Sequence, residues 1–262
     1  MEEGNSWDFV SIDGLAFPMQ ARRDIAFGAV MFLLGVPVDA PVGVAIITVV
    51  DRNGNTVAEH PTQVSRRDFR RDDIRLNEAL TSLRVDPDPR KDEQARRYLS
   101  LLGSVNPEAR FMDQGFIRPV AGERRTSLFG DIRRYLYADH ATAWTIHNGV
   151  DYGYPTGILV WAAGRGRVVL AEERIITGNT VVLEHLPGVY TIYMHLHQMK
   201  VKEGDLVGRE QPIGTIGATG LATGPHLHWE LRINGLASDP ELLAGLDKMP
   251  RIRTITAAIE GR

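Results

Sequence analysis

Six of the eight histidines fall between positions 147 and 228, and five of those six lie in three short runs. His147-Asn148-Gly149-Val150-Asp151 sets an imidazole and a carboxylate four residues apart. Tyr193-Met194-His195-Leu196-His197 and His226-Leu227-His228 each set two imidazoles two apart. On a strand, evenly spaced residues share a face, so each run would present its polar groups together. A helix would also align His147 with Asp151, but Gly149 and the flanking pattern disfavour one. Taken singly, such runs more often serve surface or core roles. Three of them in order, with the glycine-rich approach Gly214 to Gly220, are a much stronger signal.

Imidazole nitrogen and carboxylate oxygen are ligands that suit zinc, and a catalytic zinc site uses three protein ligands with the fourth position open. Two histidines and one aspartate meet that count and leave further histidines for proton transfer near neutral pH. A metal so held would acidify water and polarise a carbonyl, which is hydrolytic chemistry. The glycines of 214–220 do not read as a phosphate loop, because no Lys-Ser/Thr pair and no helix signal follow them.

Composition excludes several other classes. The chain has 262 residues, 43% hydrophobic and 24% charged, enough to bury a large core without staples. It has no cysteine, which rules out a disulfide scaffold, thiol catalysis and a cysteine-based zinc finger. A net charge of −3 with no basic stripe argues against a nucleic-acid partner. The most apolar stretch, Ile25 to Val50, is broken by glycines, prolines and Asp39, so no transmembrane segment is expected. Met1-Glu2-Glu3-Gly4 lacks the charge and apolar run of an export signal. Ile259-Glu260-Gly261-Arg262 spells the recognition site of a tag-removing protease, which marks 246–262 as a tail carrying candidate non-native residues.

The elements that must position the histidines read as mainly β. Val44 to Val50, followed by Asn53-Gly54, predicts a hairpin, and Met31 to Leu34 a further strand, within a small β-sandwich-like domain over 1–85. Asp86-Pro87-Asp88-Pro89 breaks that pattern. Tyr98, Leu101, Leu102 and Val105 then follow helical spacing, with Gly103 as a C-cap, giving a helical linker over 86–115. Runs at Ile158–Ala162, Arg167–Leu170, Thr180–Leu183 and Val189–Met194, punctuated by glycines, predict an antiparallel β-sheet domain over 116–245.

At Gly214 to Gly220 and Thr223-Gly224-Pro225-His226-Leu227-His228-Trp229-Glu230 the sequence closely resembles the signature of lysostaphin/LytM-type zinc endopeptidases. His147 to Asp151 matches their H-x-G-x-D element, and Tyr193-Met194-His195-Leu196 their Y-x-H-L element. The likeness spans roughly Phe116 to Leu236. It implies one zinc ion held by His147, Asp151 and His228, with His195 and His226 as catalytic histidines beside it. It also implies an antiparallel sheet with a groove formed by loops, and cleavage of peptide crosslinks in bacterial peptidoglycan. The expected location is accordingly exported, in the periplasm or cell envelope, with the signal peptide outside this sequence. The runner-up is a silent relative that binds and activates another wall hydrolase, although every motif position is intact. A β module binding glycan or peptide, with incidental histidines, is a third reading.

Some residues stay open at this stage. The segment between Phe129-Gly130 and His147, with Arg133, Arg134, Tyr135, Tyr137 and His140, is longer than the resemblance leads one to expect. It could form a groove wall whose arginines bind a peptide carboxylate, or a solvated charged loop. His197 would share a face with His195 on a regular strand, and His185 and His60 read as surface residues. The N-terminal domain is expected to gate the groove or to meet an envelope partner. A fragment lacking 1–115 is then expected to fold and bind zinc.

Overall fold

The computed structural model describes residues 9–12, 15–18, 22–24, 29–31, 34–50, 55–112 and 114–244. Before residue 65 the strands Phe9–Ile12, Leu15–Pro18, Gly43–Val50 and Thr56–Val64 form one antiparallel sheet, and Arg22–Asp24 pairs with Ala29–Met31 in a separate ribbon. The hairpin expected around Asn53-Gly54 is present as the Gly43–Val50 and Thr56–Val64 pair. Its turn, 51–54, lies outside the described residues, as do 32–33 of the strand read at Met31 to Leu34.

Residues 71–85 depart from the sequence reading. Arg71–Arg75 is a strand, but it runs parallel to Ile132–Leu136, which in turn pairs with Thr142–Ile146. This three-stranded sheet ties a piece of the N-terminal stretch into the segment just before His147. Glu78–Val85 is a helix where only β structure was expected. Its signal was local: the Asn77 side chain caps it, accepting from the Leu80 N–H at 2.9 Å, and Glu78 lies in the first turn.

The expected linker helix runs from Pro89 to Leu102 with Gly103 at its C-cap, and Asp88 caps its start ahead of a proline at the first helical position. Tyr98 and Leu102, one turn apart, bury against Leu170, Val182, Tyr190, Ile192 and Met194. Burial of two such side chains is worth roughly 1.5–3 kcal/mol each, so the helix is fastened onto the neighbouring sheet.

That sheet is antiparallel, as expected. Its strands run in the order Leu206–Val207, Gly166–Arg174, Gly178–Leu186, Val189–Met199, Leu227–Ile233, Gly149–Tyr152 and Arg125–Ser127. Leu159–Trp161 pairs with Pro212–Ile216, which joins the Val189–Met199 strand, and Leu236–Ser238 pairs with Leu227–Ile233. The central strands are covered on both faces, by the helix on one side and by a core containing Val181, Leu183, Tyr193, Ile213 and Trp229 on the other. Double-sided burial explains why Thr180–Leu183 and Val189–Met194 read as continuous apolar runs instead of alternating ones.

Candidate metal centre

Strand register delivers the first part of the site. Asp151 lies directly opposite His228 on the paired Gly149–Tyr152 and Leu227–Ile233 strands, and Met194 flanks His228 from the other side. Gly149 makes this approach possible. A Cβ built there would lie 2.3 Å from the Trp229 carbonyl oxygen, so any other residue would push the two strands apart. His147 enters from the preceding loop, where its N–H donates to the Asp131 carbonyl at 2.9 Å and its carbonyl accepts from the Gly130 N–H at 2.8 Å. The Asp131 carboxylate holds that loop, accepting from the Leu128 N–H at 2.7 Å, the Ser127 hydroxyl at 3.1 Å and Arg70 at 3.2 Å.

Three buried atoms converge as a result. His147 Nε2 lies 3.0 Å from Asp151 Oδ1 and 2.9 Å from His228 Nδ1, and His228 Nδ1 lies 2.8 Å from the same carboxylate oxygen. The far side of each ring decides what those atoms can do. His147 Nδ1 donates to the Leu128 carbonyl at 2.8 Å, and His228 Nε2 donates to Glu230 Oε1 at 2.8 Å. A carbonyl and a carboxylate can only accept, so the ring proton of a neutral imidazole sits on that outer nitrogen in both cases. With both rings neutral, three acceptor atoms face one another, an arrangement that either a metal ion or a proton on His228 Nδ1 would satisfy. This donor set fits zinc, and hydrogen bonds that orient ligands in this way are the usual support of such a centre.

Electrostatics tell the same story. Burial, the largest influence on His228, favours its neutral form, but hydrogen bonds to Asp151 and Glu230 outweigh it and push its pKa up to about 9. The site thus draws in positive charge. Burial also raises Asp151, yet the bonds from His147 and His228 hold its carboxyl well below the usual range. Glu230 is likewise taken down to about 2, burial being overcome by Arg232 and His228. Arg232 grips Glu230 Oε2 with two N–H groups at 2.8 and 2.7 Å. Tyr98, from the Pro89–Leu102 helix, reaches the same oxygen at 3.5 Å.

His195 and His226 flank the triad. Their ring centroids lie 4.7 Å apart, and His195 is 6.3 Å from His228. His195 Nδ1 donates to the Thr219 carbonyl at 2.8 Å and His226 Nδ1 to the Gly224 carbonyl at 2.8 Å, which leaves Nε2 bare on both. His226 Nε2 stands 3.9 Å from Asp151 Oδ1. Burial, reinforced by the neighbouring His226 and His228, lowers the His195 pKa to about 3, so this ring is neutral at pH 7. Its backbone is in the left-handed region, φ 60°, where a non-glycine residue is strained, and the pairing register shifts beside it. That irregularity separates His195, buried, from His197, exposed, and answers the question a regular strand left open.

The five residues singled out from the sequence therefore meet at one place. His185 does not belong there, and it is not a surface residue either. It is fully buried, donating from Nδ1 to the Arg165 carbonyl at 2.8 Å and accepting at Nε2 from the Thr191 hydroxyl at 2.7 Å, edge-on to Phe116. His60 is exposed, as expected. Sequence reading missed Glu230, although His226, His228 and Glu230 continue one period-two run on a strand and so share a face.

The long segment before His147 is a groove wall. Arg133 and Tyr135 alternate with Arg134 along their strand, so the first two face the site and the third faces away. Arg133 pairs with Asp151 Oδ2, while Arg134 pairs with Asp73 at 2.8 Å and lies over the Trp144 ring. The cleft in front of the triad, with about 160 Å3 of accessible space, is lined by His195, His226, His228 and Asp151 together with Ile74, Leu76, Arg84, Arg133 and Tyr135. A larger cleft of about 720 Å3 lies between the Glu78–Val85 and Pro89–Leu102 helices and residues 173–175, but no histidine lines it, so the chemistry belongs to the smaller one.

Comparison with known proteins agrees with this geometry. Residues 145–240 match the model of Peptidase family M23. The peptidoglycan DD-endopeptidase ShyC of Vibrio cholerae is 36% identical over 148 residues, covering 56% of this chain and 33% of that protein. The DD-carboxypeptidase/endopeptidase Mpg of Neisseria meningitidis is 38% identical over 128 residues, covering 49% of this chain and 29% of that protein. The aligned regions thus span about a third of these curated relatives. A Pseudomonas aeruginosa structure described as a peptidase of family M23 superposes over 93% of this chain and 89% of its own, with a TM-score of 0.61 and 23% identity, which shows a shared fold.

Proposed function

We propose that this chain is a zinc-dependent endopeptidase that hydrolyses peptide crosslinks of bacterial peptidoglycan in the cell envelope. The observation that supports this most is the convergence of four bare imidazole nitrogens and one carboxylate oxygen, with the opposite N–H of every ring committed to an acceptor. His147 Nε2, Asp151 Oδ1 and His228 Nδ1 would hold the metal. Zinc there would supply Lewis-acid polarisation of a carbonyl and activation of water.

The chain's own groups do the rest. His195 and His226 each offer a bare Nε2 at the cleft, able to accept a proton from the attacking water. Once charged, the same nitrogens can donate to the developing oxyanion or to the leaving amine. The Thr219 and Gly224 carbonyls keep both rings in that tautomer and orientation. Asp151 is held by Arg133 and His228 by Glu230, so neither has to reorganise during the reaction. Ile74, Leu76 and Met194 keep bulk water from part of the cleft.

The names of the two curated relatives make D,D peptide bonds the first candidates. No helix among the described residues is long and apolar enough to cross a membrane, and an envelope location follows from the substrate. The sheet before residue 65 is proposed to be an accessory unit that meets the wall or an envelope partner. The test is mass spectrometry of fragments released from purified sacculi. Conversion of crosslinked dimers to monomers, with one water added per bond, is the expected result. Zinc-loaded protein that leaves the dimers intact would contradict the reading.

A further inference from the structure

We propose that Arg84 and Arg133 form a carboxylate-binding subsite beside the metal centre, which selects peptides carrying a free carboxylate close to the scissile bond. The inference rests on the peptidase reading above and adds a specificity that the five site residues do not explain.

Both guanidiniums line the cleft that holds His195, His226 and His228, although they come from distant parts of the chain. Arg84 is in the last turn of the Glu78–Val85 helix. Its guanidinium lies over the Tyr135 ring, 4.1 Å from the centroid, and its Nε donates to the Tyr137 hydroxyl at 3.0 Å. Those two contacts hold it against the wall formed by the Ile132–Leu136 strand. Among the described residues no carboxylate pairs with it, so the forked edge that best matches a carboxylate has no anion.

Arg133 reaches Asp151 with one terminal nitrogen, while its Nε is buried with no hydrogen-bond partner. An unpaired buried donor is costly, and a shift of this side chain towards a ligand carboxylate would relieve it. The charge count points the same way. Asp151 is the single carboxylate among the residues lining the cleft, and it already serves Arg133, His147 and His228. Two guanidiniums over apolar Ile74, Leu76 and Tyr135 leave positive charge in a partly desolvated place, which an anionic group on the substrate would neutralise.

Free carboxylates in stem peptides are of two kinds, the C-terminal group and a side-chain group on the diamino acid. The experiment separates them. Hydrolysis is measured on three versions of one crosslinked peptide: both carboxylates free, the C-terminal one amidated, and the side-chain one amidated. Zinc-loaded wild-type protein should cleave the free form with a kcat/KM about 10- to 100-fold above one of the amides, the scale of a charge-assisted hydrogen-bond pair. That amide names the group bound. In Arg84→Gln with zinc content equal to wild type, the ratio should collapse towards one, through KM more than kcat. Should that variant fail to fold, Arg84→Lys carries the same test, because a point charge replaces the planar fork and must lower the ratio. Equal cleavage of all three peptides by wild type, or an unchanged ratio in the Arg84 variant, would overturn the subsite. Failure to cleave any of them would instead count against the peptidase reading.

Discussion

Each imidazole at the metal centre is useful because of the acceptor behind it. Glu230→Gln replaces the anion behind His228 with an amide whose nitrogen could face the ring. Zinc affinity should fall about 10- to 100-fold, the usual cost of losing such a partner, as read by competition with a chelator of known affinity. His195→Ala and His226→Ala should behave differently. Both should retain zinc and lose about 10²-fold or more in turnover, the scale of removing a general acid–base group. Loss of metal from either variant would mean that a ligand had been taken for a catalyst. At this scale the sequence was informative about which residues matter, because H-x-x-x-D, H-x-H and Y-x-H-L are local patterns. It said little about the acceptors. The Leu128, Thr219 and Gly224 carbonyls are backbone atoms that any residue type could supply. Glu230 was visible in principle, as the third member of an alternating run.

Among the elements, the strand pair carrying Asp151 and His228 decides the geometry. Gly149→Ala should cost about 1–3 kcal/mol through overpacking against the Trp229 carbonyl, and should weaken zinc retention together with thermal stability. A variant with wild-type melting temperature and full zinc would show that the close approach is not needed. The strand Gly178–Leu186 predicts a pH effect of its own. Burial lowers the His185 pKa to about 4, against an ordinary value of 6.5. A histidine depressed in the folded state contributes stability that is complete above about pH 6.5 and is lost as pH falls towards 4, because the unfolded chain takes up the proton first. The full span is about 3 kcal/mol. His185→Gln should therefore lie well below wild type in urea unfolding at pH 7, with the gap closing by about that amount near pH 4; a gap that stays constant would show that His185 remains uncharged for another reason. The strands around these residues were legible from apolar runs and glycines. Burial of His185 was not, because a histidine between Glu184 and Leu186 looks like any surface position until the fold covers both faces of its strand.

For the whole molecule, the connection between the two ends of the chain differs from the one the sequence suggested. A fragment beginning at residue 116 would lose the Arg71–Arg75 strand, which pairs with the groove wall, and the Pro89–Leu102 helix, which buries Tyr98 and Leu102. It is expected to aggregate or to unfold at low temperature. A fragment of 66–262 keeps both elements and should stay folded with zinc bound, although it gives up the packing of Val38 against the core. Comparing melting curves and metal content of the two fragments checks this. Periodicity could place the helix but not what it leans on, and parallel pairing between residues some 60 apart leaves no local trace. Hydrolysis at this site requires a metal held between His147, Asp151 and His228 in the intact chain. The most direct measurement is the zinc stoichiometry of the purified protein after dialysis, beside that of His228→Ala. One zinc per chain in the wild type and none in a folded variant is the predicted result. Full occupancy in the variant, or a wild-type chain that retains no zinc, would contradict it.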